Sequence, residues 1–352
     1  MEVTATVPVR VTALADPASL GVMRVVVAPD KFKGTASAMA LAAALGAAIE
    51  TAGHEAVIRP MADGGEGFLE VLGGANRTTI VAGPLGEPVE AGWRLARGTA
   101  VIEMAAASGL VLAGGPEGND AIEATTRGVG ELLVTAVEAG ARRIIVGVGG
   151  SATTDGGLGA LKAMHPTQRF RGVELIVACD VRTTFIDAAE VFAPQKGASS
   201  SQVALLRRRL ERLAQVFQME SGVDVTAIEG SGAAGGLAGG LATLGAELVG
   251  GFDLVADEIE LDQAIEDADL VITGEGFLDE ESFDGKVVGG VASLCEQLGV
   301  PCVAIVGEVV DPLPPPPDQL RVVSLVERFG NERSMNDPIG CAIEIVTELV
   351  AQ

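Results

Sequence analysis

Short runs of β-branched and other apolar residues, each cut off by Gly, Pro or a charge, alternate along this chain with longer stretches whose apolar residues recur every three or four positions. Arg24–Ala28 (RVVVA) predicts a strand ending at Pro29-Asp30, and the Ala-rich stretch Thr35–Ile49 predicts a helix capped by Thr35 or Ser37. Ala56–Arg59 predicts a second strand, Met61–Gly67 a Gly-rich loop, and Phe68–Leu72 the start of another helix. Near the other end, Asp269–Thr273, Pro301–Val306 and Arg321–Leu325 predict strands that alternate with helices over Lys286–Leu298 and Pro338–Val350. Near-continuous apolar strands alternating with helices predict a parallel, doubly wound sheet.

The middle of the chain has a different pattern. Strand-like pieces (Ala100–Met104, Ile144–Val148, Leu175–Cys179) mix there with helices (Gly128–Glu138, Ser200–Met219) and many Gly-rich turns. In Ser200–Met219, Val203, Leu206, Leu210, Leu213 and Phe217 form an apolar face opposite Arg207–Arg209, the pattern of a packing helix with a solvated basic side. The predicted fold is therefore α/β with two α/β domains. One is a Rossmann-like, doubly wound parallel sheet built from both chain ends (23–75 and 256–352), and the other is a mixed α/β domain (76–255) inserted into it. Residues 1–22 have no hydrophobic periodicity and are expected to be a disordered extension, with Met23 beginning the fold. Pro314–Pro317 is expected to be a stiff surface loop.

Composition narrows the choice of function. At 352 residues the chain exceeds what one core usually organises, in keeping with two domains. Lys+Arg 24 against Asp+Glu 48 gives a net charge of −24, which argues against nucleic acid and anionic membranes as partners. Such a protein binds an anion only where backbone N–H groups, a few lysines and divalent cations reverse the local sign. The cysteines, Cys179, Cys295, Cys302 and Cys341, include no C-x-x-C pair, which argues against zinc and suits a reducing, cytoplasmic location. No apolar run is long enough to span a bilayer.

Gly-rich segments carrying Asp, Lys or Ser follow several predicted strands, where open α/β sheets present ligands. They are Asp30–Gly34 (DKFKG), Met61–Gly67 (MADGGEG), Gly147–Gly157 (GVGGSATTDGG), Gly230–Gly236 (GSGAAGG) and Thr273–Asp279 (TGEGFLD). Glycine lets backbone approach a phosphate closely, and consecutive N–H groups make an anion nest. Gly230–Gly235 also fits G-x-G-x-x-G, but the strand expected before it, Val223–Ile228, is short and interrupted, which disfavours a dinucleotide-binding dehydrogenase. No P-loop and no protein-kinase motif set is present. Phosphoryl transfer needs a carboxylate to deprotonate a hydroxyl and others to hold Mg²⁺. Asp63, Glu66, Asp155, Asp180, Glu275 and Asp279 are the candidates, and Lys33, Lys196 and Lys286 each adjoin a glycine that would bring a cation to bound phosphate.

At these residues the sequence resembles the type I glycerate kinase family, bacterial enzymes that phosphorylate D-glycerate with ATP. The matching blocks, in family order, are VVVAPDKFKGTASA, PMADGGEG, GPLGEPVEA, IEMAAASGL, TTRGVGELL, GVGGSATTDGG, ACDV, VFAPQKGAS, GSGAAGGL and VITGEGFLD followed by GK, covering Met23 to about Leu349. The resemblance implies two α/β domains, one Rossmann-like, and an ATP- and Mg²⁺-dependent kinase of a small hydroxy-acid, with a homodimer left open. In the expected site Asp180 is the first candidate for general base and Asp63 the second, and Lys33, with Lys196 and Lys286, neutralises developing charge. Phosphate and substrate are expected on Asp30, Gly64, Gly65, Glu66, Gly149, Gly150, Ser151, Thr153, Lys196, Gly232, Gly235, Gly236 and Lys286, and Mg²⁺ on Asp155, Glu275 and Asp279. Thr154, Thr183-Thr184 and Phe277 stand where the family commonly has Asn, Asn-Pro and Arg, and the Met164–Arg171 stretch is short. The change beside Asp180 leaves open a diverged hydroxy-acid kinase, and a non-catalytic module that binds a phosphorylated metabolite is the alternative from another class.

Overall fold

The computed structural model describes residues 21–32, 34–310, 313, 317 and 319–351. Lys33, nearly all of the expected extension and most of the Pro314–Pro317 run lie outside the described residues.

The strands are β1 (Arg24–Pro29), β2 (Glu55–Ile58), β3 (Arg77–Ala82), β4 (Pro88–Ala96), β5 (Thr99–Glu103), β6 (Arg143–Gly147), β7 (Glu174–Ala178), β8 (Glu247–Val249), β9 (Leu270–Leu278), β10 (Cys302–Val309) and β11 (Leu320–Ser324). They form two sheets. The first, in the order β11-β10-β9-β1-β2, is parallel throughout. The second, β3-β4-β5-β6-β7-β8, is antiparallel from β3 to β5 and parallel from β5 to β8.

Period-two alternation puts helices on both faces of the first sheet. Val25, Val27, Ile272 and Ile305 pack with Leu41 and Leu45 of the helix Ala38–Thr51 and Ile345 of the helix Pro338–Val350. Val26, Ala28, Val271 and Ala304 point the other way, towards Val288 and Val291 of the helix Val287–Leu298. That same core continues into Phe68, Val101, Ile145, Ile176 and Phe252, so the inner face of the second sheet shares it. The outer face of the second sheet packs Ile102, Ile144, Val146 and Val177 against Leu132 and Leu133 of the helix Arg127–Glu138.

Several elements depart from expectation. Ser37 alone caps its helix, accepting from the Ala40 N–H at 3.2 Å. Thr273–Leu278 is not a loop but the second half of β9, paired with β10 through Val306↔Glu275 and Val309↔Leu278. Glycine is needed there for strand packing, since a Cβ at Gly274 would lie 2.0 Å from the Ile305 carbonyl oxygen. Val223–Ile228 holds a 3₁₀ turn, Val225–Ala227, in place of a strand. The hairpin strands β3 and β4 and the short β8 went unpredicted.

Candidate active site

Strand order in the first sheet reverses between β1 and β9, and a crevice forms beyond the carboxyl ends of strands at such a switch point. Pairing of Pro29 with Gly274 sets Asp30 beside Glu275 there. In the second sheet, Glu103, Gly147 and Ala178 stand in register, so the segments that follow, including Gly149–Ser151 and Asp180, emerge side by side. A cavity of about 690 Å³ lies between these ends. The first sheet's connections contribute Asp63, Gly64, Gly65, Glu281, Asp284 and Lys286 to its wall, and the second sheet's connections contribute Gly149–Ser151, Asp180–Thr183 and Lys196.

The carboxylates form an electrostatically coupled group. The Asp180 Oδ1 accepts from the Gly251 N–H at 2.7 Å. Burial, reinforced by the Asp63 carboxylate, pushes the Asp180 carboxyl up to about 7. Lys31 bridges Asp30 and Asp63 at 3.4 and 3.5 Å. Asp30 nevertheless rises to about 6, because burial outweighs the adjacent ammonium. Against the opposing effect of burial, those carboxylates hold Lys31 above its ordinary value. Glu275 is also pushed up to about 7 by burial, and its buried Oε1 has no hydrogen-bond partner among the described residues.

Two lysines line the cavity. Lys286 is paired with Glu281 at 3.0 Å. Lys196 is 3% exposed, donates to the Thr153 carbonyl at 2.7 Å, and is pushed down to about 7 by burial. Arg182 on the rim reaches Glu229 at 3.2 Å and Asp284 at 3.5 Å.

Of the residues proposed from sequence, Asp63, Gly64, Gly65, Gly149, Gly150, Ser151, Asp180, Lys196 and Lys286 line this cavity. Others are placed elsewhere. Asp155 faces a second cavity of about 530 Å³, and its oxygens accept from Thr126 Oγ1 and from the N–H groups of Thr126, Gly157 and Gly159. It is a loop anchor, with no oxygen spare for a metal. The Asp279 Oδ1 caps the turn Glu280–Phe283 by accepting from the Ser282 N–H at 3.0 Å. Gly232, Gly235 and Gly236 are buried packing positions: a Cβ at Gly235 would lie 2.0 Å from the Thr153 carbonyl oxygen, and one at Gly232 would lie 2.3 Å from that of Thr184. Thr153 is fully buried and serves through its carbonyl on Lys196. Glu66 lies close enough to Glu103 to raise it further, after burial, although Glu103 accepts from the Leu69 N–H at 2.7 Å.

Lys31, Glu103 and Arg182 were missed. Adjacency to glycine does not mark Lys31; its signal in the sequence is adjacency to an acid at a strand's carboxyl end. Among the described residues, no three His, Cys, Asp or Glu side chains group as a metal site. A Mg²⁺ that arrives on nucleotide phosphates takes only one or two carboxylates from the protein, and the unpartnered Glu275 oxygen beside Asp30 suits that role.

Comparison with known proteins places the chain in a family. A family model described as the glycerate kinase family matches residues 25–166 and 165–336. An uncharacterised protein of Mycobacterium bovis is 41% identical over 305 residues, covering 82% of this chain and 80% of that protein. The glycerate 2-kinase of Escherichia coli is 39% identical over 329 residues, covering 82% and 86%. A crystal structure from Salmonella typhimurium, provisionally named glycerate kinase 2, aligns with a TM-score of 0.78 at 32% identity, covering 94% of this chain and 98% of that one.

Proposed function

This chain belongs to the glycerate kinase family, and on that premise we propose that it is a cytoplasmic kinase that moves the γ-phosphoryl group of ATP to a hydroxyl of D-glycerate. The observation that carries the proposal is Asp180. Its carboxyl, held near neutrality at the end of β7, opens into a cavity that also presents Lys196, Lys286 and the Gly149–Ser151 backbone.

A general base works best when its pKa lies near the operating pH, because it is then both ionised and able to hold a proton. Asp180 takes the proton of the glycerate hydroxyl as that oxygen bonds to the γ-phosphorus. The bond from phosphorus to the β,γ-bridging oxygen breaks, and ADP leaves with the electron pair. Lys196 and Lys286 offset charge on the phosphoryl oxygens, while Gly150 and Ser151 offer backbone N–H groups to them, the Gly149 N–H being held by the Gly64 carbonyl at 3.1 Å. Glu275 and Asp30 would hold a Mg²⁺ that arrives with the nucleotide, and that ion would supply further neutralisation of phosphate charge. Asp63 raises the basicity of Asp180 by repulsion and is itself balanced by Lys31.

The test is incubation of the purified protein with ATP, Mg²⁺ and D-glycerate, with the product read by ³¹P NMR. A phosphoglycerate resonance that requires all three components is expected, and its chemical shift distinguishes the 2- from the 3-phosphate. Hydrolysis of ATP to inorganic phosphate at the same rate with and without glycerate would refute the proposal.

A further inference from the structure

The cavity has two chemically distinct ends. Around Asp63, Asp180, Glu281 and Asp284 the lining carboxylates outnumber Lys286 and Arg182, which are paired with Glu281 and Asp284, so a polyphosphate would meet net repulsion. Elsewhere the VFAPQKG segment supplies Val191, Phe192, Gln195 and Lys196, and Leu110 lines the same cavity. Here the buried Lys196 ammonium has three N–H donors but only the Thr153 carbonyl as a hydrogen-bond acceptor among the described residues. It also lies 5.9 Å from the Phe192 ring centroid. The Gly149–Ser151 backbone lines the same cavity. Val191, 53% exposed, leaves apolar surface open on the cavity lining.

Resting on the kinase proposal and extending it, we infer that the nucleotide is seated at this end. Its base lies on Leu110, Val191 and Phe192 beside the Gln195 amide, and its phosphates run along Gly149–Ser151 and Lys196 towards Asp180. Three features support this orientation together. An aromatic and aliphatic wall removes a purine face from water, which a three-carbon hydroxy-acid does not need. An ammonium with free donors suits phosphate oxygens. The acidic end is then left to the hydroxyl that must lose a proton and to the metal. A volume of about 690 Å³ is in the range that holds a ligand of nucleotide size. Phe192 and Val191 are on this view positioning residues, remote from the transferred phosphorus.

The discriminating variant is Val191→Glu, which sets a carboxylate against the base at a position exposed enough for the fold to accept it. Val111→Glu, at a side chain 91% exposed and outside the cavity lining, is the control. Titration calorimetry with Mg·ATP in the absence of glycerate should show binding weakened tenfold or more in Val191→Glu and within twofold of wild type in Val111→Glu. In steady-state assays the KM for ATP should rise by the same factor while the KM for glycerate stays within twofold. ATP binding in Val191→Glu within threefold of wild type would overturn the assignment, as would a rise in glycerate KM equal to that for ATP. Failure of wild type to bind ATP at all would overturn it too. Because calorimetry needs no turnover, a wild type that binds ATP but forms no phosphoglycerate refutes the substrate proposal, and the Val191→Glu titration still decides the nucleotide seat.

Discussion

Asp180 lies two residues beyond β7, half-buried, with its Oδ1 fixed by the Gly251 N–H. An Asn at this position keeps the shape and an acceptor oxygen, so Asp180→Asn should fold and bind ATP while turnover falls by roughly 10²–10⁴-fold, as when a positioned base is lost. A fall of less than about tenfold would mark Asp180 as a loop anchor, and recovery at high Mg²⁺ would mark it as a metal ligand. Stability should move the opposite way. Folding raises this carboxyl from 3.8 towards 7, so between those values the folded state keeps a proton that the unfolded chain has lost. The contribution to stability is fully present below about pH 4 and is lost as pH rises through about 7. In metal-free buffer, Asp180→Asn should melt above wild type at pH 8, with the gap closing near pH 4. Asp180 was legible from sequence because a strand-like run, LIVAC, delivers it to the ligand edge of a sheet. Lys31 was not, because its role depends on Asp63, which sits on a different connection and is brought within 3.5 Å only by the pairing of β1 with β2.

Among the elements, the strongly periodic segments are legible in the sequence and the short, partly exposed ones are not. The helix Pro338–Val350 and strands β1, β7 and β11 carry dense apolar periodicity that only a buried α/β layer satisfies. β3 reads RTTIVA with half of its residues exposed, which gives little pattern to find. The glycine-rich segments show the sharper limit, because the same composition serves a ligand nest or close backbone packing. In GSGAAGG it serves packing: Ala234, Gly235 and Gly236 take left-handed angles at the start of the helix Ala233–Ala242, pressed on the Thr153–Gly157 turn. Gly235→Ala therefore combines left-handed strain with a contact 2.0 Å from the Thr153 carbonyl oxygen and should cost about 2–5 kcal/mol in urea unfolding. Gly53→Ala, equally left-handed but with nothing within 4 Å, should cost only about 1–2 kcal/mol. Equal losses at the two sites would show that the turn yields and that packing does not fix these glycines. Displacement of Thr153 would also move the acceptor of Lys196, so Gly235→Ala links element packing to the phosphate end of the cavity.

For the whole molecule, the decisive feature is the core that both sheets share. Val26, Ala28 and Val271 of the first sheet and Val101, Ile145 and Ile176 of the second belong to one buried cluster, joined through Phe68, Phe252 and Val255. Inter-domain motion is the default where an interface is small and polar, but a continuous apolar interface resists it. The site must then exclude water chiefly through its side chains and connections, such as Arg182 between Glu229 and Asp284, with little rotation of one sheet against the other. Phe252 is central to this coupling. It is 5% exposed, packs against Gly290 of the first sheet's covering helix, and follows the residue whose N–H holds Asp180. Phe252→Ala should cost about 3–5 kcal/mol by opening a cavity at the junction. Because the sheets share that core, the loss should lower the melting temperature of a single transition whose calorimetric and van't Hoff enthalpies agree. Turnover should fall as well, as Asp180 loses its fixed position. Two resolved transitions in the wild type, or a Phe252→Ala protein in which one transition moves and the other stays, would show that the sheets unfold as separate units and restore closure between them as the means of excluding water.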